Sequence, residues 1–195
     1  MKLLMTLPIL FFAFSCSTTG PQNSDVPSMS ESEYEEIFNK KTNKIETYSG
    51  LTNALTFSAT EIDSEMIHAT LARSARIYEW NSSKLQEETA KSKQNIDSKS
   101  EFFLTVYTPE RNHNNLNSTT SIWKIYLDVN NQRYEGKATK VKGQLVDIQS
   151  VYPSHNRFST PYKIEFPISL VSIANAPKSI TLTGPKASAK VDFVK

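Results

Sequence analysis

From about residue 98 onward the chain alternates apolar and polar residues with a period of two, in short runs separated by turn residues. Phe102, Leu104 and Val106 alternate with Phe103, Thr105 and Tyr107, which puts bulky groups on both faces and predicts a central strand. Trp123, Ile125, Leu127 and Val129 form one face of the next strand, with Lys124 and Asp128 on the other. Asn130 and Asn131 are a hairpin turn signal leading into a strand over 133–141. Further strands are predicted over 144–152, 162–168, 179–184 and 189–194. Pro153, Pro161, Pro167 and Pro177 fall where sheet edges and loops would be.

Ahead of this region, Leu55, Phe57 and Ala59 alternate with Thr56, Ser58 and Thr60 in a half-buried strand with a polar outer face. A helical stretch over about 63–95 then interrupts the β pattern. Asp63 is its N-cap, Glu65 lies in the first turn, and Ile67, Leu71, Ala75 and Tyr78 form one apolar stripe. A second helix starts at a Ser83/Gln86 capping box, with Lys84/Glu88 and Glu87/Lys91 spaced as i,i+4 pairs. Earlier still, Ser30 and Glu33 fit a capping box before Tyr34, Ile37, Phe38 and Lys41. The expected fold is mainly β, an antiparallel sandwich of about seven to eight strands with an α-helical insertion after the first strand. Its closing strands, carrying Tyr162, Ile164, Phe166, Ile180, Leu182, Val191 and Phe193, resemble those of immunoglobulin-like domains. The cysteine pair of true immunoglobulin domains is absent.

The single cysteine, Cys16, follows Lys2 and an apolar run over 3–14 that has signal-peptide length rather than the roughly 20 residues of a membrane span. Ala13, Phe14, Ser15 and Cys16 resemble the lipobox of bacterial lipoproteins, with Ala13 where leucine is commonest and Phe14 where a small residue is usual. The resemblance implies cleavage between Ser15 and Cys16, lipid attachment at Cys16 and, with Ser17 next, delivery to the outer membrane. Ala13 and Ser15 also satisfy the rule for ordinary secretory cleavage, which would cut the same bond and release a soluble secreted or periplasmic protein. A lone exposed thiol is a liability in an oxidising compartment, which favours lipid.

These readings divide the chain into a signal peptide over 1–15, a lipidated N-terminus and tether over 16–32, and one globular domain over 33–195. The segment over 17–32 is serine-rich with few apolar side chains, and a flexible chain of that length reaches on the order of 20 Å.

With 22 lysines and arginines spread among 20 acids, the chain offers no clustered basic face, so nucleic acid is not an expected partner. Lys137, Lys140 and Lys142 read as a solvated strand edge. Five glycines in total, with no phosphate-binding or nucleophile-elbow pattern, argue against nucleotide chemistry and acyl transfer. His68, His113 and His155 have no metal-ligand spacing, and no metal or cofactor is expected. Glu61, Asp63 and Glu65 cluster at a helix start, where the dipole already accounts for them. No enzymatic activity is expected. Two loops combine Arg, His and Asn: 110–120 with Arg111, His113 and Asn114, and 154–160 with His155, Asn156 and Arg157. Such side chains make several directed hydrogen bonds to carboxylates, sugars or peptide backbone. The leading expectation is a non-enzymatic binding or scaffolding lipoprotein of the cell envelope, held at the membrane through Cys16 and working with an envelope protein partner. The alternatives are a small-ligand or glycan-binding lipoprotein using the two loops, and an envelope hydrolase.

Overall fold

The computed structural model describes residues 29–94 and 96–193. Residues 15 and 16 therefore lie outside the described residues. The chain is mainly β, with two antiparallel sheets and a few helices. Helix α1 (Glu31–Lys41) is followed by strands β1 (Thr42–Ser49) and β2 (Thr52–Glu61), helices α2 (Ser64–Ile77) and α3 (Ser82–Lys93), and strand β3 (Ser100–Tyr107). Strands β4 (Lys124–Val129), β5 (Gln132–Glu135) and β6 (Lys137–Lys140) come next. Helix α4 (Leu145–Val151), β7 (Thr160–Phe166), the single turn α5 (Leu170–Ile173), β8 (Lys178–Thr183) and β9 (Ser188–Phe193) complete the order. One sheet runs β1-β2-β3-β7-β6 and the other β5-β4-β8-β9.

Period-two burial builds one shared core. Leu55, Phe57, Phe102, Leu104, Ile164 and Phe166 of the five-stranded sheet meet Ile125, Leu127, Ile180, Leu182, Val191 and Phe193 of the four-stranded one. Phe102 sits edge-on to both Phe166 and Phe193, joining the sheets through aromatic contacts. At one side β9 lies against β1. At the other, the chain passes directly from β5 in one sheet to β6 in the other through Gly136. The sequence predicts one strand over 133–141, and the break has a steric cause. A Cβ on Gly136 would stand 2.6 Å from the Phe166 ring and 2.7 Å from Ile164 Cγ2, so only glycine lets the chain turn this corner against the core.

Helices add a third layer on the outer face of the five-stranded sheet. In α1 the Ser30/Glu33 capping box is complete, and Tyr34, Phe38 and Lys41 are buried. Asp63 caps α2 by accepting from the Met66 N–H at 2.9 Å. The buried stripe of α2 is Met66, Ala69, Ala72, Arg73 and Ala75, which keeps Ala75 of the expected stripe but not Ile67, Leu71 or Tyr78. The shift arises because α2 packs on α1 through small residues, while Ile67 and Leu71 turn toward α3 and Tyr78 is exposed. Arg73 holds this layer together: it pairs with Glu31 at 2.5 Å, lies 4.2 Å from the Tyr34 ring centroid and donates to the Ser150 carbonyl. The cap of α3 is Asn81, which accepts from Lys84 N–H, rather than Ser83.

Two further elements differ from expectation. Residues 144–152 form α4 rather than a strand. Ile148 and Tyr152 point inward one turn apart, Tyr152 stacks on the Phe103 ring at 3.7 Å, and Pro153 ends the helix. Strand β1 has no alternating apolar signal because it is an edge strand with Ile45 as its main inward apolar group. Among the described residues there are thus nine strands, with two preceding the α2–α3 segment. The hairpin at Asn130 and Asn131 is as expected: both residues have positive φ, 52° and 59°, and Val129 pairs with Gln132. Among the described residues no helix is long and apolar enough to cross a membrane.

Candidate functional site

Both polar loops emerge at the same end of the five-stranded sheet. The register Val106↔Thr160 puts the end of β3, where the first loop leaves, beside the start of β7, where the second arrives. Their side chains serve different ends. In the first loop, Arg111 to His113 form a short 3-10 turn. Trp123 Nε1 donates to the His113 carbonyl at 2.8 Å, Tyr162 OH donates to the Asn114 carbonyl at 2.7 Å, and Thr108 Oγ1 donates to Asn114 Oδ1 at 2.9 Å. This loop is a plug fastened to the end of the core. Arg111 stays exposed, and His113 faces Glu110 at 3.3 Å.

In the second loop, Asn156 Oδ1 accepts from the N–H groups of Phe158 and Ser159 at 2.9 and 3.1 Å, which shapes the turn. Arg157 lies 4.8 Å from the Phe158 ring centroid. His155 is buried, with Nδ1 3.1 Å from Ser159 Oγ. Burial holds its pKa below the ordinary imidazole value. The unfolded chain therefore takes up this proton first as pH falls. The stability His155 contributes is complete above the ordinary value of about 6.5 and is lost as pH drops from there through the folded value. Thermal unfolding followed between about pH 7.5 and 5 should show a falling midpoint in the parent and a flatter profile in His155→Asn. Identical slopes would contradict the buried neutral imidazole.

The second loop borders a concave site. On the outer face of the five-stranded sheet the helices cover one end and leave the other open, enclosing a groove of about 440 Å³. Its floor is Thr56 and Ser58 of β2 with Thr105 and Tyr107 of β3. One wall is the end of α1 with Phe38 and Asn39, and the other is Pro153, Ser154, Asn156 and Ser159. Ser58 Oγ and Thr105 Oγ1 share a hydrogen bond of 2.8 Å across the strands. Ser154 Oγ is buried with no hydrogen-bond partner among the described residues. The one charged group in the lining, Lys44, is paired with Glu46 at 2.6 Å. In the sequence the floor reads only as the polar outer face of a half-buried strand, though it carries one signal that sets it apart. Its signal is that Thr56, Ser58 and Thr60 carry hydroxyls and no charge, where a solvated face would carry Lys or Glu.

The acid residues do not converge on a general acid and base. Glu101 and Glu165 are cross-strand partners, but Lys99 lies 2.5 Å from Glu165 and Lys163 lies 2.8 Å from Glu101. Lys99 holds the Glu165 pKa below the usual carboxylate range, the opposite of what acid catalysis requires. The expected cluster of Glu61, Asp63 and Glu65 is dispersed. Asp63 and Glu65 pair with Lys41 at 2.5 and 2.8 Å, while Glu61 points into the core and pairs with Lys178 at 2.5 Å. Continuing the period of Leu55, Phe57 and Ala59 by one step identifies Glu61 as inward-facing. His68 lies on α2 and is exposed. Among the described residues no group of three or more His, Cys, Asp or Glu side chains could hold a metal.

A scan against protein-family models gives no match, and a search of curated proteins gives none. A search of solved structures finds similarity to a crystal structure of a novel protein of unknown function from Burkholderia pseudomallei K96243. The two are 14% identical, with 84% of this chain and 82% of that one covered, at a TM-score of 0.49.

Proposed function

We propose that this chain is a non-enzymatic binding domain of the bacterial cell envelope, anchored to the outer membrane by lipid on Cys16 and engaging its ligand in the groove between α1, β2, β3 and loop 153–159. The observation that carries the reading is the groove itself. It is concave, lined mainly by neutral polar side chains with Lys44 as its one charged group, and contains no acid and base in position for chemistry. The concavity favours a ligand-binding role. A scaffolding role has one feature in its favour, the exposed Tyr48 and Leu51 at the β1–β2 hairpin.

For the fold, we propose an immunoglobulin-like sandwich. In support, β2-β3-β7-β6 and β5-β4-β8-β9 run in the order A-B-E-D and C′-C-F-G. Strand β1 is then an added edge, α2 and α3 fill the A-to-B connection, and buried Trp123 stands at the start of strand C.

The test is the intact mass of the mature protein extracted from membranes, with and without Cys16→Ser. The expected result is acyl mass on Cys16 and loss of membrane retention in the variant. Unmodified mass from Cys16, or unchanged retention of Cys16→Ser, would contradict the anchor.

A further inference from the structure

We infer that the groove takes an uncharged oligosaccharide, recognised through its hydroxyl groups. This inference rests on the groove being the binding surface and names its ligand class. The argument is from the functional groups present and from those absent.

The floor and walls offer the hydroxyls of Thr56, Ser58, Thr105 and Tyr107, with the amides of Asn39 and Asn156. Every one of these groups both donates and accepts. That dual capacity is what a polyol needs, since each sugar hydroxyl is itself a donor and an acceptor. Ser58 and Thr105 share one hydrogen bond, which uses one of their two hydroxyl hydrogens and leaves the other to donate. Asn156 spends its carbonyl oxygen on the turn, leaving its NH₂ as a donor. Asn39 is exposed at the end of α1 with its amide on the groove. Tyr107, Phe38 and Pro153 add apolar surface for the C–H faces of sugar rings.

Other occupants fit less well. A phosphorylated or carboxylated ligand calls for uncompensated cations, and Lys44 is already paired with Glu46. An extended peptide would be read by adding to a free strand edge. The floor strands have no free edge, because β2 is paired with β1 and β3, and β3 with β2 and β7. An apolar ligand would leave the hydroxyl floor unsatisfied.

The test uses the full-length mature chain in detergent and chitohexaose, a neutral oligosaccharide with hydroxyl and acetamido groups, titrated by calorimetry. The expected result is a dissociation constant of about 1 mM or tighter. Thr56→Arg, which fills the groove, should abolish binding. Asn39→Ala, at an exposed helix position, should weaken it about fivefold, the effect of one hydrogen bond, with an unchanged melting midpoint. Equal binding by both variants would overturn the assignment to this site. No binding by the parent up to about 10 mM would overturn the saccharide class. In that case a benzophenone side chain at position 39, on the exposed rim of the groove, distinguishes the two levels of the argument. Covalent capture of an envelope protein would leave the groove in place with a protein occupant. No adduct would remove both.

Discussion

Replacing Lys178 by methionine is expected to destabilise the fold by about 3 to 5 kcal/mol, because it strands the Glu61 carboxylate in the interior. The pair is deeply placed: the side chains are 3% and 9% exposed, with Lys178 Nζ 2.5 Å from Glu61 Oε1. Glu61 ends β2 in one sheet and Lys178 begins β8 in the other, so their ion pair closes the core at the end opposite the loops. Removing both charges together behaves differently, since two apolar side chains of similar size owe no desolvation. The double variant Glu61→Leu with Lys178→Met should recover most of the loss. Urea unfolding of both singles and the double measures the coupling. A Lys178→Met cost below about 1 kcal/mol, the range of a solvated pair, would show that water reaches the site.

Trp123→Ala should cost about as much, 3 to 5 kcal/mol, which for a domain of this size lowers the melting midpoint by roughly 10 °C. Three effects combine there. The indole is 3% exposed and fills the core end. Its Nε1 donates to the His113 carbonyl, so truncation also releases the plug formed by the first loop. On its other side Gly184 packs so closely that a Cβ would lie 2.8 Å from the ring and 2.6 Å from the Ile122 carbonyl. Trp123→Phe, which keeps most of the packing and loses the hydrogen bond, should cost less, about 1 to 2 kcal/mol. Equal losses for the two variants would mean that packing contributes little.

The sheets were legible where burial is one-sided. Phe102, Leu104 and Val106 alternate because one face meets the other sheet, and the equally bulky Phe103 on the reverse face signals the helix layer that covers it. Legibility failed where a local pattern depends on a distant surface. Strand β1 contributes little apolar area, so nothing in 42–49 distinguishes it from a loop. Gly136 reads as an ordinary residue inside a strand until Ile164 and Phe166 are placed against it. Residues 144–152 are too short a window to separate period two from a helical period, although Leu145, Ile148 and Tyr152 fall at helical spacing, and contact between Tyr152 and Phe103 decides the matter.

The candidate site divides in the same way. Asn156 was recognisable as a loop residue, and its loop does form a groove wall. Asn114 and His113 belong to a loop of similar composition, yet their backbone carbonyls and the Asn114 side chain are occupied by Trp123, Tyr162 and Thr108. Composition does not reveal which polar groups the fold itself will use. The floor of the groove comes from strands whose polar faces read as solvent-facing, because the wall that makes them concave arrives from α1 and from 153–159.

The central claim is that this domain binds through the groove, and site-specific photo-cross-linking in living cells tests it most directly. A benzophenone side chain reacts with nearby C–H bonds whether the occupant is a saccharide or a protein. Placed at position 39 on the exposed rim of the groove, it should give covalent adducts. Placed at position 190, exposed on the four-stranded sheet, it should give none. Adducts from position 190 with none from position 39 would contradict the account.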